Sequence, residues 1–259
     1  MAPRGLKQLV NSTSPGRLVK GKFTGFKAIG ADGNVHGAML RGITKLLSKK
    51  LYSSGELPDE ALKSTEFRGG AWNGRNGGLK RGKAVDSQVS RLASAAAGKR
   101  RSSSKYKMTH LAFGALEVAG LEPIAGQRVV VDSQHGIATA CDVVCYRKKD
   151  NSLVVVELKT GYAGNRKLPA LTKRSAVCYL SSPCSTAADC VLHRHLAQLS
   201  VTRYLLAREH GFMKTLKAKF SIESINGLLL YVCDRDTETY DLDSWWIRRS
   251  KRIVSTISA

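Results

Sequence analysis

Three side chains of the types that cleave phosphodiester bonds lie on two neighbouring apolar segments. Glu157 and Lys159 are two residues apart in the run 154–160, so they project from the same face of a strand. Asp142 lies in a second apolar run, 141–146, and the polar residues between the two runs predict a hairpin turn. Pairing of these strands would bring Asp142 beside Glu157 and Lys159.

Two carboxylates and an ammonium at a strand end predict a divalent-metal site that hydrolyses phosphodiesters. Mg²⁺ or Mn²⁺ is the expected cofactor, because such an ion keeps several waters while one or two carboxylates hold it. In this interpretation Asp142 and Glu157 bind the ion and the Leu158 carbonyl can add a backbone ligand. Lys159 would orient the attacking water or stabilise charge on the phosphoryl oxygens. No small-molecule cofactor is expected.

The same residues have a purely structural alternative. Asp142 could cap a turn, and Glu157 with Lys159 could form a surface ion pair on an edge strand. The three valines at 154–156 favour a central strand buried on both faces, and therefore favour the catalytic interpretation.

The charge of the chain favours an anionic partner. Its 259 residues carry a net charge of +22, and residues 1–107 hold 22 Lys and Arg against 6 Asp and Glu. A chain this basic binds polyanions, of which nucleic acid is the commonest. DNA is the expected partner, with RNA as an alternative. No apolar run reaches the length of about 18 residues that a membrane span needs, so no membrane partner is expected.

Two basic stretches are candidates for contacts with a nucleic-acid backbone. Residues 69–82 contain six glycines and predict a loop that can approach phosphates closely. Residues 98–107 form a basic, serine-rich connector. The cations expected to follow the backbone are Arg75, Lys80, Arg81, Lys99, Arg100 and Arg101.

The chain is expected to be intracellular, in the nucleus because of its basic clusters, with the mitochondrion or a virion as alternatives. Its six cysteines are then expected to be free thiols. Cys178, Cys184, Cys190 and His193 could together bind zinc, although no CxxC pair is present and the spacing is not that of a zinc finger. That alternative is left open.

Periodicity predicts an α/β chain in two parts. Residues 1–80 are expected to form a basic extension, with a mobile arm over 1–37 and an amphipathic helix over 38–52. Residues 81–259 read as one domain. Its expected helices are 84–96, 108–119 and 190–209, and its expected strands are 127–132, 137–146, 153–159, 226–233 and 237–242. A basic tail follows Trp245 and Trp246.

Asp142, fourteen intervening residues and then Glu157-Leu158-Lys159 on an apolar strand resemble the PD-(D/E)XK nuclease superfamily. The resemblance implies a restriction-endonuclease-like core of αβββαβ order, in which helices flank a mixed central sheet. Residues 136–142 resemble the approach to the aspartate in the RecB and lambda-exonuclease branch, although Cys141 stands where the motif has proline.

Two further site residues follow from that resemblance. Residues 81–86 are similar to the branch's first motif, which implies that Asp86 completes the acidic, metal-binding set; Glu117 is the alternative for that place. Gln198 matches the glutamine that the branch places on the helix after the strand with the Glu-x-Lys motif, which is Glu157-Leu158-Lys159 here. In that place it would contact water or DNA. Where the branch has tyrosine four residues later, this chain has Thr202.

The resemblance implies a DNA nuclease, with an exonuclease or end-processing role in recombination, repair or replication. The alternative is a non-catalytic basic protein that binds or packages nucleic acid while retaining a nuclease-like fold. Charge alone does not separate the two.

Overall fold

Helices cover both faces of a mixed six-stranded sheet, which makes the fold α/β. A computed structural model describes residues 1–12, 17–20, 26–29, 35–53, 77–95, 103–161 and 178–259. The strands of the sheet are β3 (Val35–Gly42), β4 (Leu121–Asp132), β5 (Ile137–Arg147), β6 (Ser152–Thr160), β7 (Ile225–Val232) and β8 (Thr237–Asp241). Two short strands, β1 (Arg17–Lys20) and β2 (Phe26–Ile29), extend it beyond β3.

The described helices lie on the two sides of this sheet. They are α1 (Leu6–Ser12), α2 (Ile43–Lys50), α3 (Gly77–Ala93), α4 (Lys107–Val118), α5 (Val191–Arg208), α6 (Phe212–Phe220) and α7 (Ser244–Ser258). Helices α3 and α4 share one buried cluster with the strands, and the other five share a second. Within the described ranges no helix has the length and apolar character needed to cross a membrane.

β6 is a central strand. It pairs antiparallel with β5 on one side and parallel with β7 on the other. Every residue from Ser152 to Leu158 is buried. A strand buried on both faces needs a continuous apolar run rather than an alternating one. The structure therefore confirms that Glu157 and Lys159 do not belong to an edge strand.

β5 and β6 separate into a fork. Their pairing ends at Val143 and Val156. Beyond that point β5 turns toward β3, where Ile137 pairs with Arg41, while β6 continues beside β7 as far as Thr160. Asp142 and Glu157 are the first residues past the last pair, so both lie at the opening between the strands.

The N-terminal residues depart from the expectation of a mobile arm. They include α1, β1, β2 and the start of β3. Leu6 and Val10 of α1 are buried in the same cluster as α5 and α7. The guanidinium of Arg128, whose residue is 2% exposed, donates to the Val10 carbonyl at 2.9 Å and pairs with Glu209 at 2.8 Å. One buried turn in a basic segment is too short a signal for periodicity to reveal.

Several expected boundaries also differ. The expected loop over 69–82 is helical from Gly77, because α3 begins there, and residues 69–76 lie outside the described residues. The expected helix over 38–52 begins only at Ile43, since the preceding residues belong to β3. The boundary between residues 80 and 81 falls inside α3, and α2 packs against α5 and α7.

The basic tail after the two tryptophans is a helix, α7. Asp243 caps its first turn by accepting hydrogen bonds from the backbone N–H groups of Trp245 and Trp246. One face of α7 is buried and apolar despite the cations on the other. The buried positions are Trp246, Ser250, Ile253, Val254 and Ile257.

Candidate active site

The structure brings Asp142, Glu157 and Lys159 together at the fork. The backbone N–H of Leu158 donates to Asp142 Oδ2 at 2.8 Å, which holds the aspartate against β6. The ammonium of Lys159 donates to Glu157 Oε1 at 2.6 Å. The two carboxylates and the ammonium therefore share one small region, as the hairpin interpretation predicts.

Glu157 is nearly inaccessible to solvent, at 1% exposure, yet only one of its oxygens is engaged. Oε1 accepts from Lys159 and also from the Gln198 side-chain amide at 2.6 Å. Oε2 is buried and, among the described residues, has no hydrogen-bond partner. Leaving a buried acceptor unmet costs free energy. A bound cation would satisfy this oxygen.

Helix α3 supplies the third carboxylate, Asp86. The side-chain nitrogen of Gln127 on β4 lies 3.1 and 3.0 Å from the two Asp86 oxygens, and 3.5 Å from Asp142 Oδ1. Ser90 Oγ adds a weaker contact to Asp86 at 3.4 Å. Gln127 thus links Asp86 to Asp142 at the fork.

Two glycines let α3 approach the strands. A Cβ atom at Gly126 would lie 2.2 Å from the Ser90 carbonyl oxygen, so only glycine permits this contact between β4 and α3. A Cβ at Gly82 would lie 3.0 Å from Thr160 Oγ1, at the end of β6. The close approach brings Asp86 over the fork.

Glu117, the alternative to Asp86, lies elsewhere. It is exposed on the last turn of α4, four residues before Leu121. Leu121 pairs with Arg147, at the end of β5 remote from the fork. Of the two alternatives, Asp86 and Glu117, the structure places Asp86 near Asp142.

Gln127 is a site residue that sequence reasoning missed. Gly126 pairs with Val143 and Arg128 with Cys141, which places Gln127 opposite Asp142. Its φ angle of 48° lies in the left-handed region that non-glycine residues seldom adopt. The sequence signal is faint, because it requires knowing the register of β4 against β5.

Burial and the charge of Glu157 disfavour ionisation of Asp142 and Asp86, and the charge of Lys159 offsets part of that effect. Burial raises the pKa of Asp142 well above its usual range, and the Glu157 charge raises it further, while Lys159 acts in the opposite direction. Burial also raises the pKa of Asp86, with the Gln127 hydrogen bond offsetting part of the effect and Glu157 adding to it. Like charges in a partly desolvated site disfavour ionisation. Such a site favours a bound cation.

Helix α5 covers the site with polar residues of one face. Gln198 accepts from Lys159 at 3.4 Å as well as donating to Glu157. One turn earlier, His195 Nδ1 lies 2.9 Å from the Tyr231 hydroxyl. Burial, and then the charges of Lys159 and Arg194, lower the pKa of His195 well below its usual value. A neutral His195 adds no second positive charge beside Lys159.

The donor set suits Mg²⁺ or Mn²⁺, since it consists of carboxylates with one unmet buried oxygen. Asp142, Glu157 and Asp86 are the residues that would hold the ion. Within the described ranges, however, no three His, Cys, Asp or Glu side chains are already grouped for coordination. Gln127 bridges two of the carboxylates, and Lys159 occupies one oxygen of the third.

Leu158 contacts Asp142 through its N–H group. The N–H and C=O groups of one strand residue point to the same side of the strand. The Leu158 carbonyl therefore points to the same side of β6 as Asp142, as it must if it is to act as a backbone ligand of the metal.

The cysteine and histidine residues considered for zinc do not form a metal-binding group in the described part of the chain. Cys178 is exposed, whereas Cys184 and Cys190 are buried. His193 Nδ1 contacts the Ala188 carbonyl oxygen at 2.7 Å.

The cations expected to contact nucleic acid fall into two groups. Lys80 is exposed on α3, but Arg81 is 8% exposed in a helix and is not the loop cation that the glycine-rich stretch predicted. The others lie outside the described residues: Arg75, Lys99, Arg100 and Arg101.

Comparison with known sequences does not place the chain in a family. No protein-family model and no curated protein sequence matches it. What the protein does must therefore be inferred from the residues at the fork.

Proposed function

We propose that the protein is a divalent-metal-dependent DNA nuclease with a restriction-endonuclease-like core of the PD-(D/E)XK type. One observation carries the proposal: Asp142, Glu157 and Lys159 meet at the point where two paired strands separate. Asp86 and Gln198 approach the same point from helices on opposite sides of the sheet.

The order of the elements supports the same proposal. Helices α3 and α4 precede the antiparallel strands β4, β5 and β6, and α5 and α6 then lead to β7, which runs parallel to β6. This is the αβββαβ order that the resemblance implies, with one additional helix on each side of the three strands.

The residues divide the chemistry among them. When bound, a divalent ion supplies an activated water and neutralises charge on the phosphate. Asp142, Glu157 and Asp86 would hold it. Lys159, fixed by Glu157 Oε1 and Gln198, presents an ammonium that can orient water or stabilise charge on the phosphoryl oxygens. Gln198 keeps the Glu157 carboxylate in one orientation.

A nucleic-acid substrate is supported by an exposed basic surface formed by α2 and α7. The two helices pack against each other, and neither contains an acidic residue. Arg41, just before α2, donates to the Ser258 carbonyl at 3.2 Å and joins the start of one helix to the end of the other. The exposed cations of this basic surface are Lys45, Lys49, Lys50, Arg248, Lys251 and Arg252. A surface of this kind attracts a phosphate backbone.

The second candidate function is a non-catalytic basic protein that binds nucleic acid. The observation that favours it is the lack, in the described ranges, of three ligands already grouped for a metal. Under that alternative, the Lys159–Glu157 pair is only a buried structural contact.

Cleavage assays separate the two functions. Linear and circular DNA are incubated with wild-type protein in Mg²⁺, Mn²⁺ or chelator, beside Lys159→Met and Glu157→Gln. Glu117→Gln is the matched control, because it removes an exposed carboxylate remote from the fork. The nuclease proposal expects metal-dependent cleavage by wild type and Glu117→Gln only.

Binding without cleavage under every metal condition would instead establish the non-catalytic alternative. Cleavage restricted to linear DNA supports the exonuclease or end-processing role in recombination, repair or replication that the branch resemblance implies. Cleavage of both forms indicates an endonuclease.

A further inference from the structure

The side-chain amide of Gln127 lies between two carboxylates from different elements. Its nitrogen is 3.0 Å from Asp86 Oδ2 on α3 and 3.5 Å from Asp142 Oδ1 on β5. Ionised carboxylates can only accept hydrogen bonds, so the amide must present its N–H groups to them. Gln127 therefore supplies the partial positive charge at this point.

The backbone fixes Gln127 in that place. It stands opposite Asp142 in the β4–β5 register, and its φ of 48° is disfavoured for a residue with a side chain. Gly126, beside it, lets β4 touch the backbone of α3 at Ser90. The surrounding contacts hold an unfavourable backbone conformation, and the amide is aimed at both acids as a result.

The position of the amide is also where a cation would bind. Gln127 lies between Asp86 and Asp142. Glu157, whose Oε2 is unmet among the described residues, is near enough that its charge raises the pKa of both aspartates. Gln127 itself is exposed, so its side chain has room to leave. An amide can hydrogen-bond the two acids together, but it cannot neutralise them as a divalent ion can.

We infer that Gln127 stands in for the divalent ion in the metal-free protein: its amide holds Asp86 and Asp142 together, and metal binding displaces it. This inference rests on the proposed metal-dependent function. Gln127 is a positioning residue rather than a ligand. Because a contact made only in the metal-free state weakens binding, Gln127 sets the metal affinity of the site.

The test uses full-length protein with Mn²⁺ alone, without DNA, so that its readout is independent of cleavage. Gln127→Met removes the amide at similar length. Gln127→Lys replaces it with a permanent cation that reaches the same acids. Gln134→Met is the matched control, since Gln134 is exposed in the turn between β4 and β5. Calorimetry gives the Mn²⁺ Kd, and melting curves are recorded in chelator and in saturating Mn²⁺.

The two substitutions should act in opposite directions. Gln127→Met should lower the Tm in chelator, match wild type in saturating Mn²⁺, and bind Mn²⁺ about tenfold more tightly, which corresponds to about 1.4 kcal/mol. Gln127→Lys should keep or raise the Tm in chelator and weaken Mn²⁺ binding by at least about tenfold. Gln134→Met should behave as wild type.

Three outcomes contradict the inference, and they have different meanings. If wild type binds Mn²⁺ but Gln127→Met binds it equally or less tightly, the stand-in role is wrong and the metal-dependent function survives. If folded wild type shows no saturable Mn²⁺ binding, the metal-dependent function itself is wrong and this inference falls with it. If Gln127→Met does not fold, Gln127→Lys decides, because tighter or unchanged binding there overturns the stand-in role.

Discussion

Asp142 Oδ2 accepts a hydrogen bond from the backbone N–H of Leu158 at 2.8 Å, just past the last residue pair between β5 and β6. The carboxylate takes the place of a backbone acceptor where the two strands separate. The Asp142 side chain therefore completes the hydrogen bonding where the β5–β6 pairing ends, and it also belongs to the proposed metal site. These two roles can be separated by substitution, because only the metal site needs the charge.

Asp142→Asn should abolish metal-dependent cleavage and stabilise the metal-free protein at neutral pH. Asparagine keeps an oxygen for the Leu158 N–H group, but removes a charge that burial and Glu157 disfavour. Activity assays and melting curves in chelator measure the two effects. Asp142→Ala is the comparison, since it leaves the Leu158 N–H unpaired, at a cost of about 1–3 kcal/mol. A lower Tm for Asp142→Asn than for wild type would contradict the electrostatic argument.

The stability gained in Asp142→Asn should depend on pH. The folded-state pKa of Asp142 is raised, so the folded protein retains a proton that the unfolded chain has already released. Stability from this group is present below the ordinary aspartate pKa and is lost as pH rises through the raised value. Denaturant unfolding in chelator should show the free energy of unfolding of wild type falling further below that of Asp142→Asn as the pH rises from the ordinary aspartate pKa to the raised one. A difference independent of pH would show that Asp142 is not the titrating group.

Gly126→Ala should destabilise the protein and weaken cleavage together. The added methyl would meet the backbone of Ser90 at 2.2 Å, which forces α3 away from β4 and Asp86 away from Gln127. Overpacking of this kind costs about 1–3 kcal/mol. Denaturant unfolding and cleavage rates measure both consequences.

Gly114→Ala is the matched control for that substitution. Gly114 lies inside α4 and, apart from the nearby backbone of its own helix, no atom of the described residues comes within 4 Å of a Cβ added there. Alanine is a better helix former than glycine, by roughly 0.5–1 kcal/mol, so this variant should be neutral or more stable. Equal loss of activity in both variants would remove the argument that Gly126 positions Asp86.

Gln198→Leu should lower activity by about 10–100-fold, as is typical when a group that orients a metal ligand is removed. Glu157 Oε1 would lose its 2.6 Å amide donor and retain only Lys159. Single-turnover cleavage at saturating DNA measures the effect on the chemical step. Gln134→Leu, in an exposed turn, is the control. Unchanged single-turnover rates would show that Gln198 has no orienting role.

The basic surface of α2 and α7 should contribute to the salt dependence of DNA binding. Replacing Arg248, Lys251 and Arg252 by alanine should reduce the log–log slope of affinity against salt by about 0.9 for each duplex phosphate that the protein no longer neutralises. Lys217→Ala is the control, because that exposed lysine already pairs with Glu223 at 3.2 Å. Equal slopes for the triple variant and wild type would place the DNA on another surface.

The site residues that spacing alone could predict are those fixed by one strand and by the hairpin that joins it to its neighbour. The apolar run through Val156 identifies β6 as buried on both faces, and a spacing of two then places Glu157 and Lys159 on one face. The hairpin to β5 adds Asp142. Each of these steps uses residues close in sequence.

Gln127 could not be predicted in the same way. Its position depends on an irregular register between β4 and β5, on the left-handed backbone at that residue, and on the approach of α3. None of these leaves a periodic pattern. Helix α7 was missed for a different reason: its exposed cations obscure a buried stripe that includes Trp246 and Ile253.

Arg128 has a practical consequence for anyone preparing shortened versions of this protein. Its buried guanidinium is held by the Val10 carbonyl, by Glu209, and by the face of the Phe212 ring at 4.7 Å. Deleting the first twelve residues would remove one of these partners and uncover an interior charge. Affinity tags and deletions at that end should therefore spare Leu6–Ser12.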